Sequence, residues 1–235
     1  MPHVETTIGD YQSGYRGEWS AVDQIFTIRE ILERCGEYGK DIHHLFIDFK
    51  AAHDSINRHS LYAAMKEMNI PQPLIALVKA TMYNTQCRVK IQNKLSEPIN
   101  IVNGVQQGDA LACLLFNIAL EKVIRDAAIN IRGTIFYKSV QILVHADDID
   151  IIGRTQSVMI EAFTTLGKAA KGMILIINPE KTNCMPVTRK SHASYPHYLE
   201  VGLHKFQVVH RFTCRVRINY RRILQNHIFT NTEQK

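Results

Sequence analysis

The chain has 235 residues, of which 46% are hydrophobic and 21% charged, a globular composition that excludes an intrinsically disordered chain. No amino-terminal apolar stretch resembles a signal peptide, and the longest apolar run, 110–116, falls far short of the ~20 residues that span a bilayer, so no membrane role is expected. The net charge of +6 is concentrated in residues 187–235, with nine Lys/Arg against two Asp/Glu; arginines interleaved with aromatics in "HRFTCRVRINYRR" (210–222) suit a polyanion such as nucleic acid, or equally a solvated tail.

In chain order, residues 20–35 read as a helix. Ser20 and Asp23 form a capping box, Val22, Ile25, Ile28, Leu32 and Cys35 follow at helical spacing, and Gly36 and Gly39 end it. "IHHLFIDF" (42–49) reads as a buried strand. Helices are expected at 56–68 and 73–83, separated by Pro71 and Pro73. "QCRVKIQ" (86–92) alternates with a period of two and can pair with "EPINIV" (97–102) as a hairpin. A long helix is expected from about Asp109 to Ala128, strands at 139–145 and 149–153, a helix at 155–171, and strands at 173–177 and 181–187. The irregular alternation of strands and helices predicts an α+β fold with helices against one antiparallel sheet. Five scattered cysteines with no CxxC spacing predict reduced thiols in an intracellular protein, nuclear or cytoplasmic, without structural zinc.

Three aspartates sit at strand ends: Asp48 after "LFI", and Asp147 and Asp148 after "ILVHA". Neighbouring carboxylates raise one another's pKa unless a cation neutralises them. Hard divalent metals accept such oxygen ligands and keep positions open for phosphates, and a metal pair can activate an attacking oxygen and stabilise a leaving one. A solvated turn between strands is the plainer account of Asp147–Asp148. "NGVQQGDA" (103–110) is a glycine-bearing loop entering a long helix, able to face an anion or to serve as an ordinary turn capped by Asp109. "NPEKT" (178–182) puts Lys181 in a turn, either reaching a phosphate or solvated. Tyr15, Phe46 and Phe49 offer rings for base stacking, with Phe46 also a core candidate. The eleven histidines lack helical metal spacing.

Taken in order, "YQSGYRGEWSAVDQI" (11–25), "FIDFKAAHDSINR" (46–58), "NGVQQGDALACLLFNIALE" (103–121), "VHADDIDIIG" (144–153) and "NPEKT" resemble the reverse transcriptase domain of non-LTR retrotransposons, over roughly residues 10–188. The resemblance implies a right-hand polymerase palm, an antiparallel sheet backed by helices, with part of the fingers and no complete thumb. It divides the chain into a partial fingers segment (1–40), a palm (41–188) and a basic segment (189–235) that starts a thumb connection or forms a disordered tail. It implies RNA-templated DNA synthesis from dNTPs on a DNA primer. Asp48, Asp147 and Asp148, with the backbone carbonyl of Phe49, would hold two Mg²⁺ ions, with Mn²⁺ as the alternative. Gln107 and Gly108 would lie against template and incoming nucleotide, Lys181 near the triphosphate, and Arg16 against phosphate or template. Full-length element proteins would supply thumb and endonuclease.

The chain departs from the family pattern at several of these places. His53 stands where an aromatic ring beneath the sugar is usual, His145 replaces the tyrosine before the aspartate pair, and Gln106 replaces an arginine. Glu18, Trp19 and Ala21 replace a glycine, an arginine and a threonine. Such changes fit a decaying element copy, and a non-catalytic nucleic-acid-binding remnant of the same fold is the alternative reading. A Mg²⁺-dependent phosphoacceptor domain is a remoter one, since it requires a regular parallel sheet.

Overall fold

The computed structural model describes residues 6–106, 110–130, 140–188 and 195–209. Ser20 caps helix α1 (Ala21–Glu37): its hydroxyl accepts from the Val22 N–H, and its own N–H donates to Asp23 at 2.7 Å, which completes the capping box. The chain then enters β1 (Ile42–Ile47), the strand around which the sheet is built. It pairs antiparallel with β7 (Asp148–Gly153) on one side and with β8 (Asn183–Val187) on the other. Strand β6 (Val140–His145) closes one edge as a hairpin with β7.

Six strands lie in the order β6-β7-β1-β8-β10-β9. Strands β9 (Tyr198–Val201) and β10 (His204–Val208) form a hairpin, and β10 joins β8 in parallel. The otherwise antiparallel ladder of β1 fits the expected α+β class and removes the regular parallel sheet that a phosphoacceptor domain needs. The β9–β10 hairpin falls in the segment read as thumb connection or tail. Its alternation is legible afterwards: Leu199, Val201 and Phe206 point inward around a turn at Gly202, whose φ is +59°.

Both faces of the sheet are covered. Leu45, Ile47, Ile149 and Ile151 face a large core built with α3 (Arg58–Glu67), α4 (Gln72–Met82), α5 (Ala110–Ala127) and α6 (Gln156–Ala170). Ile42, Phe46, Ile152 and Met185 face a smaller cluster formed with Ile28, Leu32 and Cys35 of α1. The near-continuous apolar run of β1 follows from this double burial. His44, buried on the α1 side, carries Nδ1 2.9 Å from Oδ2 of Asp150 on the adjacent strand. Among the described residues no helix is long and apolar enough to cross a membrane.

Three expectations change in detail. The helix expected over 56–68 is α3 alone, starting later because Asn57 stays extended and caps it by accepting from the Ser60 N–H at 2.9 Å, and a separate short helix, α2 (Ala52–Ser55), precedes it. The strand expected at 173–177 is instead a 3₁₀ turn (Lys171–Met173) followed by left-handed Ile174, and Ile177 keeps a single bridge to Phe49. The apolar run there serves burial of Met173, Leu175 and Ile177 from an irregular segment, which periodicity does not separate from a strand. The 86–102 hairpin breaks into two short ladders, β2 (Gln86–Cys87) with β5 (Ile99–Asn100) and β3 (Lys90–Ile91) with β4 (Lys94–Leu95), all solvent-exposed.

Leu45 is fully buried at the centre of β1. Leu45→Ala is expected to lower stability by about 3 kcal/mol. Urea unfolding checks this as a lower midpoint at unchanged slope.

Candidate active site

The register of β1 against β7 builds the site. Phe46 pairs with Asp150 and Ile47 with Ile149, the last pair of that ladder, so Asp48, which follows β1, and Asp148, which begins β7, come to the same end of the sheet. Directly opposed residues project to the same side of a sheet. Asp148, Phe46 and Asp150 therefore share the face that α1 covers only over its far end, where its cluster gathers Ile42, Phe46 and Ile152. Asp148 ends the β6–β7 ladder opposite His145, and Asp147 stands in the turn between them. That turn is made by Ala146, which is left-handed with φ +59°.

All three carboxylates are half-buried. Asp48 is tied to the 178–182 turn: Asn178 Nδ2 donates to its Oδ2 at 3.2 Å, and Lys181 Nζ lies 3.9 Å from the same oxygen. The Asn178 N–H also donates to the Asp48 carbonyl at 2.8 Å, and the Asp48 N–H donates to Thr182 Oγ1 at 3.4 Å. The lysine expected in a turn thus folds back on the first aspartate. Phe49 is buried beside this turn. Asp150, one alternation inward, is a contrast: burial pushes its carboxyl above the ordinary range while His44 pulls it back.

His53 packs its ring on Phe116 of α5, centroids 4.5 Å apart at 24°. Its carbonyl accepts from the Val105 N–H at 2.9 Å, and Gly104 donates to the Ile56 carbonyl at 2.7 Å, so residues 104–105 are pinned against the end of α2. Gly104 has φ +81°, and a Cβ there would fall 2.6 Å from the Asp54 carbonyl oxygen. Gln107, Gly108 and the expected cap Asp109 lie outside the described residues. His145 Nδ1 is 3.1 Å from Ser13 Oγ. Arg16 turns inward, donating from Nη1 to the carbonyls of Gly9 at 3.0 Å and Gln12 at 3.2 Å, with its guanidinium over the Trp19 ring.

The fold therefore brings Asp48, Asp147, Asp148, Lys181 and His145 to one end of the sheet, with His53 behind it. In donor type these half-exposed oxygens suit a hard divalent ion. Among the described residues, however, no three His, Cys, Asp or Glu side chains close into a ligand group. Sequence reasoning missed the buried amides of Gln12 and Asn117 and the Asn178 contact to Asp48; Tyr15, expected as a stacking ring, has its hydroxyl pKa raised by partial burial, then by Cys113 and by the charge of Asp147. The available signal was in α5, where Asn117 and Glu121, four residues apart, interrupt an otherwise apolar face.

With this geometry in view, the comparisons with known proteins are informative. The family model described as "Reverse transcriptase (RNA-dependent DNA polymerase)" matches residues 2–203, and the chain belongs to that family. Among curated relatives it is similar to "Probable RNA-directed DNA polymerase from transposon BS" of Drosophila melanogaster, 25% identical over 81% of this chain and 22% of the relative. It is also similar to the "Retrovirus-related Pol polyprotein from type-1 retrotransposable element R2" of Nasonia vitripennis, 26% identical over 50% of this chain and 11% of that protein. The chain spans about a fifth or less of the length of these two relatives. In fold it is similar to telomerase from Candida albicans solved with a TWJ fragment of telomeric RNA (TM-score 0.59, 12% identity, 86% of this chain and 33% of that one). Apo telomerase from Candida tropicalis gives a TM-score of 0.57 at 13% identity, over 84% of this chain and 37% of that one. The reverse transcriptase family in general uses divalent metal ions.

Lys181 is 60% exposed and its ion pair with Asp48 is long. Lys181→Met is expected to change unfolding free energy by less than about 1 kcal/mol, as for other exposed pairs. A larger loss in urea titration would mark Lys181 as a structural residue.

Proposed function

We propose that this chain is the palm, with part of the fingers, of a retrotransposon RNA-directed DNA polymerase that extends a DNA primer on an RNA template from dNTPs. The observation that carries this reading is the β1–β7 pairing, whose last pair, Ile47 with Ile149, sits next to Asp48 and Asp148 and so brings these acids from distant parts of the chain to one end of the sheet. Residues 1–40 serve as the fingers portion, 41–188 as the palm, and 189–235 lead toward a thumb that longer element proteins supply together with an endonuclease. An intracellular setting fits the scattered cysteines, four of which are free among the described residues.

Asp48, Asp147 and Asp148, with the Phe49 carbonyl, would hold Mg²⁺ or Mn²⁺, which would supply Lewis-acid activation of the primer hydroxyl and neutralise charge on the departing pyrophosphate. Lys181, tethered beside Asp48 on an exposed flexible arm, reaches the triphosphate and hands a proton to the leaving group. Gln107 and Gly108 bear on the template and incoming nucleotide. Arg16 braces the loop that borders the template. His53, stacked on Phe116, forms the platform beneath the sugar, and His145 approaches the primer end. An imidazole is smaller than the phenol or phenyl ring usual at these places, so both contacts are reduced.

Those substitutions, together with the engagement of Asp48 by Asn178, favour a second reading in which the chain binds nucleic acid without extending a primer. Template-dependent dNTP incorporation by the purified chain with Mg²⁺ or Mn²⁺ separates the two. Asp147→Ala and Asp148→Ala are each expected to abolish incorporation while leaving circular dichroism unchanged, and the double variant His53→Tyr/His145→Tyr is expected to raise it. Full activity in either aspartate variant refutes the metal role. Binding of primed template without incorporation by the native chain and the tyrosine variant alike establishes the remnant.

A further inference from the structure

We propose that Gln12 is a positioning residue for the acidic turn, its side-chain amide clasping both backbone groups of Ala146 and so fixing the direction in which Asp147 and Asp148 leave the hairpin. Gln12 is buried, and its amide is fully engaged. Oε1 accepts from the Ala146 N–H at 3.1 Å and from the Gly14 N–H at 2.7 Å. Nε2 donates to the Ala146 carbonyl at 3.3 Å and to Asn117 Oδ1 at 3.2 Å. Asn117, also buried, donates from Nδ2 to the Gly14 carbonyl at 2.8 Å, which ties the clasp to α5.

A primary amide taken out of water needs partners for both its oxygen and its nitrogen. Here those partners include the two backbone groups of one turn residue, as in a β-bridge. Holding the N–H and C=O of Ala146 together fixes the peptide planes on either side of it, and the following plane leads into Asp147. The residue so held is left-handed without being glycine, a conformation that persists where its surroundings over-determine it. The approach is close: a Cβ on Gly14 would fall 2.2 Å from the Ala146 nitrogen.

The loop itself is held at several points. The Ser13 N–H donates to the Val144 carbonyl at 2.9 Å and the Val144 N–H to the Tyr11 carbonyl at 2.8 Å, a parallel bridge that sets Gln12 beside Val144 near the end of β6. Gln24 of α1 adds a further donor to the Val144 carbonyl. Glu121, one helical turn after Asn117, accepts from the Tyr11 hydroxyl at 2.7 Å and from the Gly9 N–H at 3.0 Å. Contacts thus run from α5 through the 9–14 loop to the acidic turn. A satisfied polar network of this kind gives directional rigidity, and displacement of reacting groups by about 1 Å costs about a hundredfold in rate.

The clasp stands on geometry, whereas its functional consequence rests on the polymerase reading above. The test uses the full chain, with Gln12→Ala and the isosteric Gln12→Glu, which keeps the acceptor toward the Ala146 N–H but sets an oxygen against its carbonyl. Three readouts are taken well below each variant's melting temperature: amide hydrogen exchange at Ala146, Mn²⁺ affinity from the resonance of free Mn²⁺, and primer extension. Exchange at Ala146 is expected to speed by roughly tenfold or more in Gln12→Ala, and Mn²⁺ affinity to weaken roughly tenfold in both variants. The kcat is expected to fall roughly 10- to 100-fold in both, with the KM for dNTP moving less than about threefold. Should Gln12→Ala not fold, Gln12→Glu carries the test. Native Mn²⁺ affinity and kcat in a folded variant overturn the proposal, as does unchanged exchange at Ala146 in Gln12→Ala. If the native chain neither binds Mn²⁺ nor extends primers, the polymerase reading fails and takes the positioning role with it, a result distinct from unchanged exchange.

Discussion

The pairing of β1 with β7 governs everything else in this molecule. A strand's side chains alternate between faces, so a slip of one residue would send every buried group to the wrong side. The slip is resisted from both faces. Leu45 and Ile47 meet Ile149 and Ile151 above α3, α5 and α6, and Phe46 meets Ile152 beneath α1. The acids contribute nothing to that choice. Asp48 and Asp148 come to the same end of the sheet because the apolar residues next to them have already settled the register.

Two kinds of acidic residue result from one sheet. Asp150, well inside, is desolvated, its Oδ2 held by His44 and its Oδ1 without a hydrogen-bond partner among the described residues. Asp48, Asp147 and Asp148 lie where the cover of α1 ends, and water still reaches them. Placing three acids there costs little in the folded chain, since solvent screens their repulsion. Deep burial of the kind that Asp150 experiences opposes the ionised carboxylate that a cation requires. The same shallow position leaves Lys181 free to swing while it remains within ion-pair range of Asp48.

Helix α5 shows how a core element also serves a site. Leu115, Phe116, Ile118, Ala119, Leu120 and Val123 fill the core, and Phe116 supports the His53 ring. Asn117 and Glu121, one turn apart, instead hold the loop that reaches the acidic turn. Polar residues at those places would weaken a purely structural helix unless each had partners, and each has them. The 9–14 loop is therefore joined to α5 through buried hydrogen bonds as well as through apolar contact.

Much of this was readable from the chain alone. Helix α1 with its capping box, strands β1, β6 and β7, helix α6 and the ordered motifs around Asp48, Asp147–Asp148 and Lys181 are local patterns, set by periodicity, capping chemistry and turn residues within a short window. The family followed from those motifs taken in order. What lay beyond reach depends on contacts between distant residues. The apolar run at 173–177 stays irregular after the 3₁₀ turn at Lys171–Met173 because its burial is met mostly by helices rather than by a partner strand, and β9–β10 becomes part of the sheet because β8 offers a free edge. The Gln12–Asn117–Ala146 clasp joins segments more than a hundred residues apart, and nothing near Gln12 in the chain announces it. Local sequence decided which elements form, and the packed core decided which polar groups they bring face to face.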